Sequence, residues 1–225
     1  MSPDATFRDF YREDARALHY RDKHDRDRTH RRAHRAESAA IADLLRRAGE
    51  PDGPWLDLPS GTGRFEPVLE AQGFQYVAAD ASHEMLRLAA ERAHDDGARG
   101  WTGAVQASAF ALPFEAGSFD GAMCLRFLHH FSSGTDRVRA LAAVRRVVRR
   151  SAIVSFFAKE SLQATRRRLR VRLRGHTTGR HAQSVASFRE ECRRAGFRVE
   201  ALRYRARFVS EWAVALLRVD STTDQ

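Results

Sequence analysis

Two aspartates and two glycines have the types and the spacing of a cofactor-binding site. Asp57 ends an apolar run that begins at Trp55, and a turn containing Gly61 and Gly63 follows. Glycine lets the backbone come close to a ligand, and the helix that follows such a turn offers unpaired N–H groups. Asp80 ends the next apolar run, 23 residues after Asp57, where a carboxylate can bind the two hydroxyls of a ribose. The pattern predicts a nucleotide-type cofactor held by a strand, a glycine turn and a helix.

A second group of reactive side chains follows the fourth apolar run. Arg126, His129 and His130 come directly after residues 119–125. Histidine titrates near neutral pH and can act as a general base, and arginine can bind a substrate carboxylate or phosphate. The alternative is that one histidine caps a turn and the other packs, and the residues leave both interpretations open. No Cys or carboxylate stands at ligand spacing from the histidine pair, so we predict no metal site.

The elements that must position these residues alternate along the chain. Apolar runs predict strands at residues 54–58, 74–79, 103–108, 119–125 and 151–158. Helical spacing predicts helices between them at residues 64–72, 82–94, 134–149 and 184–195. Two last runs, 197–207 and 211–219, predict strands close enough to pair antiparallel. We therefore predict an α/β fold with a doubly wound, Rossmann-like and mostly parallel sheet, whose ligands lie beyond the carboxyl ends of the strands.

Three motifs in this order resemble those of class I S-adenosylmethionine-dependent methyltransferases. The first is Leu56 to Arg64, the second is Ala78 to Leu86, and the third is formed by residues 111–114 and 117–120. The match is most similar to the small-molecule methyltransferase subgroup. It implies a seven-stranded sheet with an antiparallel terminal strand, S-adenosylmethionine as cofactor and S-adenosylhomocysteine as its product.

The resemblance also implies roles around the cofactor. Asp57 would orient the loop and reach the methionine end, and Asp80 would bind the ribose. Pro59 stands where the family usually has its first loop glycine, and Ser108 stands where an acid often faces the adenine amino group. Met85 would flank the adenine or pack in the core. The cofactor-binding residues we predict are Asp57, Pro59, Gly61, Gly63, Asp80, Ala81, Met85, Ser108, Ala109 and Phe110.

The N-terminal segment predicts helix, with little to suggest strand. In the resembled family such helices cover the substrate pocket. Tyr11, Tyr20 and His24 are therefore candidates for substrate contacts, with core or surface roles as the alternative. We expect a helical cap at residues 1–48, a methyltransferase domain at 49–220 and a tail at 221–225.

Positive charge is concentrated in the last third of the chain. The formal net charge is +10, and 37 of the 39 basic residues are arginine. Residues 51–140 carry 7 basic and 12 acidic groups, whereas residues 141–225 carry 20 and 7. The arginine-rich insert at 159–182 follows the fifth strand and should stand beside the substrate mouth. It indicates a solvated face, a lid for an anionic substrate, or a surface for nucleic acid or acidic membrane.

These observations favour one function and leave two alternatives. We predict methyl transfer by direct displacement to oxygen or nitrogen of a small, anionic acceptor. An RNA-directed methyltransferase is the first alternative, although the chain lacks the Asn/Asp-Pro-Pro-aromatic signature of amino-methylating enzymes of that type. A non-catalytic cofactor-binding or partner protein is the second. Two cysteines, no signal pattern and no run near the roughly 18 apolar residues of a membrane span predict a cytoplasmic protein.

Overall fold

A seven-stranded sheet forms the centre of the protein. The computed structural model describes residues 28–174 and 179–220. The strands are β1 (Trp55–Asp57), β2 (Tyr76–Asp80), β3 (Trp101–Gln106), β4 (Phe119–Cys124), β5 (Val148–Phe157), β6 (Phe197–Tyr204) and β7 (Trp212–Val219). Their order in the sheet is β3-β2-β1-β4-β5-β7-β6. Only β7 pairs antiparallel, with β5 on one side and β6 on the other. The predicted doubly wound α/β fold is confirmed.

Helices lie between the strands in the order that the sequence predicts. The α-helices of the described residues are α1 (Arg28–Ala48), α2 (Glu66–Glu70), α3 (His83–Asp95), α4 (Gly134–Val147), α5 (Leu162–Arg174) and α6 (Val185–Arg194). Serine side chains cap three of them, because the hydroxyls of Ser82, Ser133 and Ser184 accept hydrogen bonds from backbone N–H groups of the first turn. A short 3-10 turn, Leu128–His130, follows β4. No described helix combines the length and the apolar character needed to cross a membrane.

Hydrophobic side chains cover both faces of the sheet. Along β4, Ala122 and Cys124 pack in the cluster that contains α4 and α6, whereas Met123 packs in the cluster that contains α1. Successive side chains of a strand point to opposite faces, so a strand covered on both sides must be apolar almost throughout. Leu45 of α1 and Phe188 of α6 are fully buried on their respective sides. The sheet is therefore held between two helical layers. The edge formed by the carboxyl ends of its strands is where ligands can bind.

The N-terminal segment is described from Arg28 onward. The last part of the predicted helical region is α1, which packs Ile41 and Leu44 against the sheet. An ion pair also joins α1 to the edge strand β6, because Asp43 accepts a hydrogen bond from Arg203 at 2.8 Å. Tyr11, Tyr20 and His24 lie outside the described residues, and the predicted cap over the substrate pocket stays a prediction.

The arginine-rich insert begins where the sequence places it, after the carboxyl end of β5. Much of it forms α5, a helix that the spacing of apolar residues did not predict. The reason is its composition: Leu162–Arg174 contains six arginines, and Leu162 and Leu169 are exposed while Ala164 is buried.

Candidate active site

The carboxyl ends of β1, β2 and β4 open onto one cleft. Asp57 is the last residue of β1, and Asp80 is the last residue of β2. The order of the sheet reverses between β1 and β4, and ligands of doubly wound sheets bind at such a reversal. Residues of both acidic motifs and of the segment after β4 therefore line the same cleft.

Asp80 joins the two cofactor motifs. Its Oδ2 accepts a hydrogen bond from the Gly61 N–H at 2.9 Å, and its Oδ1 accepts from the Ser82 N–H at 2.9 Å. An ionised carboxylate has acceptor capacity beyond these two bonds, so it can also accept from hydroxyls of a ligand. Gly61 has a φ of 56°, and a Cβ there would meet no atom within 4 Å. The glycine thus supplies a left-handed turn beside open space.

Buried acids lie beside and beneath the glycine loop. Burial raises the pKa of Asp57 well above its ordinary value, and the charge of Asp80 raises it further. Burial also raises the pKa of Glu66 to about 9, with a further contribution from Asp57 and an opposing one from Arg92. Glu66 lies under the loop, since a Cβ on Gly63 would come 2.8 Å from its Oε2. A bound cation would lower both pKa values by stabilising the ionised forms.

Two buried oxygens at this site have no hydrogen-bond partner among the described residues. They are the Ser60 hydroxyl, which belongs to a residue that lines the cleft, and Glu66 Oε1. Buried polar atoms are usually paired, so orphaned ones beside a cleft indicate that a ligand or water completes them. Together with the raised pKa of Asp57 and Glu66, they fit the hydroxyls and positive charges of S-adenosylmethionine.

Arg126 lines the cleft and has an unusual backbone conformation. Its φ is 56°, its N–H donates to the Ser155 hydroxyl at 2.6 Å, and its Nη1 lies 3.2 Å from Glu37 Oε2. A positive φ is uncommon for a residue with a side chain and is stabilised here by that hydrogen bond. The guanidinium predicted to bind a substrate anion is therefore also paired with an acid of α1.

Glu37 lies at the centre of an arginine cluster. Its side chain is 1% exposed and contacts Arg64 at 3.3 Å, Arg126 at 3.2 Å and Arg205 at 3.2 Å. Arg64 and Arg126 both line the cleft. Three guanidiniums therefore share this carboxylate, and those of Arg64 and Arg126 lie at the cleft wall. We call these four residues the Glu37 cluster.

The two histidines have different surroundings. His130 lines the cleft, and burial, helped by the charges of Arg180 and Arg126, lowers its pKa to about 4. His129 is buried, and its ring stacks on Phe157 at 4.0 Å between centroids. Its pKa is also lowered, chiefly by burial. Both imidazoles are therefore neutral at neutral pH, and only His130 faces the cleft.

The predicted cofactor residues divide into two groups by position. Those that line the cleft are Asp57, Pro59, Gly61, Asp80, Ala81, Met85 and Ala109, whereas Gly63, Ser108 and Phe110 do not line it. The Ser108 hydroxyl accepts from the Phe110 N–H at 3.2 Å and so caps its own turn. The Phe110 ring packs 5.5 Å from that of Phe131. As cofactor-binding residues, all ten stay predictions.

Sequence reasoning missed several residues of the cleft. The additional lining residues include Thr62, Arg64, Phe65, Ser82, Ala107, Leu125 and Phe127. Most of them are neighbours of predicted residues in the sequence, and this proximity to the motifs could have identified them. Glu37 had no such signal, because its partners are 27, 89 and 168 residues away in the chain.

A second cavity lies beside the 3-10 turn that contains the two histidines. The His181 N–H donates to the His129 carbonyl at 2.7 Å, which joins the wall of this space to the turn. Most of its titratable lining groups are basic. We call it the basic cavity, and its cationic or histidine residues are Arg137, Lys159, Arg167, Arg168, Arg172, Arg180 and His181.

Comparison with known proteins assigns the central part of the chain. Residues 56–156 match the family model of a methyltransferase domain. The ubiquinone/menaquinone biosynthesis C-methyltransferase UbiE of Serratia proteamaculans (strain 568) is 37% identical over 98 residues, which cover 42% of this chain and 38% of that protein. The match therefore spans about two fifths of the length of this relative.

Solved structures share the fold over a larger part of the chain. Magnesium protoporphyrin IX methyltransferase (ChlM) of Synechocystis PCC 6803, crystallised with S-adenosylhomocysteine, superposes with a TM-score of 0.80 at 16% identity and covers 96% of this chain and 99% of its own. An S-adenosylmethionine-dependent methyltransferase of Methanosarcina mazei superposes with a TM-score of 0.64 at 19% identity and covers 79% and 96%. At these identities the likeness shows the fold.

Proposed function

We propose that this chain, whose residues 56–156 match a methyltransferase domain and whose fold is shared with S-adenosylmethionine-dependent methyltransferases, methylates oxygen or nitrogen of a small, anionic acceptor. One observation supports this proposal above all. Arg126 and His130 line the same cleft as Asp57, Gly61 and Asp80. Groups suited to an acceptor therefore stand across one space from groups suited to the cofactor.

The cofactor side of the cleft consists of acids and backbone groups. S-adenosylmethionine supplies a methyl group that its positive sulfonium has already activated. Asp80 would hold the ribose hydroxyls while its two oxygens keep the Gly61 and Ser82 N–H groups in place. Asp57 and the underlying Glu66 would favour the positive charges of the cofactor, because ionisation of either acid is costly without a cation. Ser60 would gain a partner for its buried hydroxyl.

The acceptor side is positively charged. Arg126 and Arg64 line the cleft with one shared carboxylate, Glu37, between them. Arg180 lies near enough to His130 to lower its pKa. An acceptor with a carboxylate or phosphate would neutralise this field, and charge-assisted bonds to arginine would orient its nucleophile. Orientation of this kind is worth several kcal/mol in methyl transfer, where alignment is the main requirement.

His130 lines the cleft and would receive the proton of the acceptor. Its pKa of about 4 keeps the imidazole unprotonated at neutral pH, which a base requires. A low pKa also makes it a weak base. An anion bound beside it would offset the charges of Arg180 and Arg126 and raise the pKa toward the working range. Binding of the acceptor would thereby strengthen the base that its own hydroxyl or ammonium needs.

A carbon acceptor is the second candidate. The Serratia proteamaculans relative is named as a C-methyltransferase and matches 42% of this chain. An acidic carbon beside an oxygen anion would satisfy the same arginines, and His130 would take the proton from carbon instead of oxygen or nitrogen. The test therefore includes acceptors of all three kinds.

The test begins with calorimetric titration of the protein with S-adenosylmethionine and S-adenosylhomocysteine. Carboxylated or phosphorylated phenols, amines and activated carbon acids are then incubated with the cofactor, and mass spectrometry identifies the methylated atom. We expect turnover with anionic acceptors and little with their neutral esters. His130→Gln should lower turnover about hundredfold or more and leave cofactor affinity unchanged.

His94→Gln is the matched control, because His94 is exposed at the end of α3. It should behave as the wild type in both assays. Equal turnover of the His130 and His94 variants would remove the proposed base. Cofactor binding with preference for neutral acceptors would refute the anionic class.

A further inference from the structure

The exposed large apolar side chains of the described residues all lie on one surface. Leu162 and Leu169 of α5 are 57% and 56% exposed, and Phe208 and Val209 of the β6–β7 loop are 60% and 57% exposed. The loop is held against the start of the helix, because the Leu162 N–H donates to the Phe208 carbonyl at 2.8 Å. Elsewhere in the described chain, side chains of this size are at least partly covered. We call α5 and residues 207–209 the arginine–leucine surface.

Helix α5 directs Leu162 and Leu169 away from the protein. Ala164 is buried and Val171 is half-buried, so these residues mark the inner side. Leu162 and Leu169 are seven residues apart, which places them on one face two turns from each other. That face is opposite to Ala164 and Val171. A helix that only packed against the core would have the reverse arrangement.

Arginines flank the outward leucines. The helix carries six arginines and no acid. Arg166, Arg168, Arg170 and Arg172 are exposed, and none of the four makes an ion pair with a carboxylate of the described residues. Arg167 is different, because it points inward to Glu211 and lies 5.9 Å over the Phe157 ring. The outer arginines are thus available to anions in solution.

We propose that the arginine–leucine surface binds a membrane rich in anionic lipid headgroups. Apolar side chains on the outer face of a cationic helix leave water when they enter the headgroup region, and arginines beside them are attracted to lipid phosphates. The helix follows the carboxyl end of β5, the edge of the sheet where the cleft also opens. Binding would therefore hold the mouth of the cleft close to the lipid surface. It does not depend on the proposed acceptor.

A nucleic acid would use the same arginines but not the same leucines. Phosphate contacts need cations, and stacking of bases needs aromatic rings. Phe208 could serve as such a ring, whereas Leu162 and Leu169 have no partner in that mode. The two outward leucines therefore favour a lipid partner, and substituting them distinguishes lipid binding from nucleic-acid binding.

The experiment is flotation of the full chain with vesicles of phosphatidylcholine and phosphatidylglycerol in equal parts, or of phosphatidylcholine alone. We expect flotation with the anionic vesicles only, weakened as salt screens the charges. The double variant L162S/L169S should bind about a hundredfold more weakly, at about tenfold for each leucine. The double variant R166Q/R170Q should bind about 25-fold more weakly, at about fivefold for each arginine.

The double variant R149Q/R194Q is the matched control. It removes the same charge from exposed positions at the opposite edge of the sheet, near the starts of β5 and β6, and should float as the wild type. Unchanged melting temperatures would show that each variant is folded. The proposal is overturned if the wild type does not float at low salt, or if the leucine variant floats equally well. It is also overturned if the surface binds single-stranded RNA and not vesicles.

Discussion

The two sides of the cleft are built in different ways. On the cofactor side, Asp80 binds the Gly61 backbone across 19 residues of chain, and both groups belong to adjacent strand ends. On the acceptor side, Glu37 binds Arg126 across 89 residues and Arg205 across 168. Neighbouring strands thus provide the first site, whereas ion pairs between distant segments provide the second.

The two sides therefore depend on different features of the sequence: the first on local motifs, the second on pairs of residues far apart in the chain. A glycine turn and an acid at a strand end place backbone groups, and the fold alone brings them together. The Glu37 cluster places side chains, and it requires that α1, the loop after β1, the segment after β4 and the β6–β7 loop all be in position. The acceptor side should therefore be more sensitive to a single lost charge.

The largest effect is expected at Glu37. Glu37→Gln removes the carboxylate that three arginines share, so their positive charges lose this common partner. Loss of one partner from a buried ion pair costs about 3 kcal/mol of unfolding free energy or more. Urea unfolding measures it.

Glu190→Gln is the control for this change. Glu190 pairs with Arg193 on an exposed helix face, and its loss should change stability little. Equal stability of both variants would mean that the Glu37 cluster does not fix α1.

The next effect is expected at Asp80. Asp80→Ala removes the acceptor of the Gly61 and Ser82 N–H groups and the predicted partner of the ribose. Loss of two hydrogen bonds to a charged group corresponds to about a hundredfold weaker cofactor binding. Calorimetry with S-adenosylhomocysteine measures it, with the exposed Asp95→Asn as control. Wild-type affinity in Asp80→Ala would show that the cofactor lies elsewhere.

The effect expected at Glu66 depends on pH and is smaller within any one pH unit. Its pKa is about 9 in the folded protein against an ordinary value of 4.5, so between these pH values the folded state holds a proton that the unfolded state has lost. Stability should therefore fall as pH rises through this window, by up to about 1.4 kcal/mol for each pH unit. Glu66→Gln should flatten the fall, and the exposed Glu91→Gln should not. Parallel profiles for the two variants would exclude Glu66 as its source.

The smallest effect on folding is expected on α5. Arg170→Gln and Leu169→Ser change exposed side chains, so each should alter the unfolding free energy by less than about 0.5 kcal/mol. Thermal unfolding measures it. A large loss in either variant would show that α5 is part of the folded core.

The fold and much of the cofactor side could be predicted from the sequence. Apolar runs placed the seven strands within a few residues, because strands covered on both faces leave a continuous signal. The position of Asp80 at a strand end placed it beside the glycine loop without knowledge of any side-chain contact. Local pattern was sufficient where backbone geometry determines the site.

The acceptor side and helix α5 could not be predicted, because they depend on contacts between residues that are far apart in the sequence or on which way a side chain points. Nothing in the neighbours of Glu37 marks it as buried, because its partners are scattered over the chain. The sequence left the roles of the two adjacent histidines open, and the structure separates them, because His129 packs on Phe157 whereas His130 lines the cleft. Helix α5 was not predicted because Leu162 and Leu169 are exposed and its apolar residues do not form one inward face.

The Glu37 cluster also sets an order of events during folding. Helix α1 can form as soon as its own residues are available, but Arg205 reaches Glu37 only after β6 and β7 have paired across the sheet. Contacts between such distant segments form late, because the intervening chain must first be ordered. On a ribosome the contact between Asp80 and the Gly61 loop could thus form before Arg205 joins Glu37. The Glu37 cluster would be completed only when the last strands have emerged.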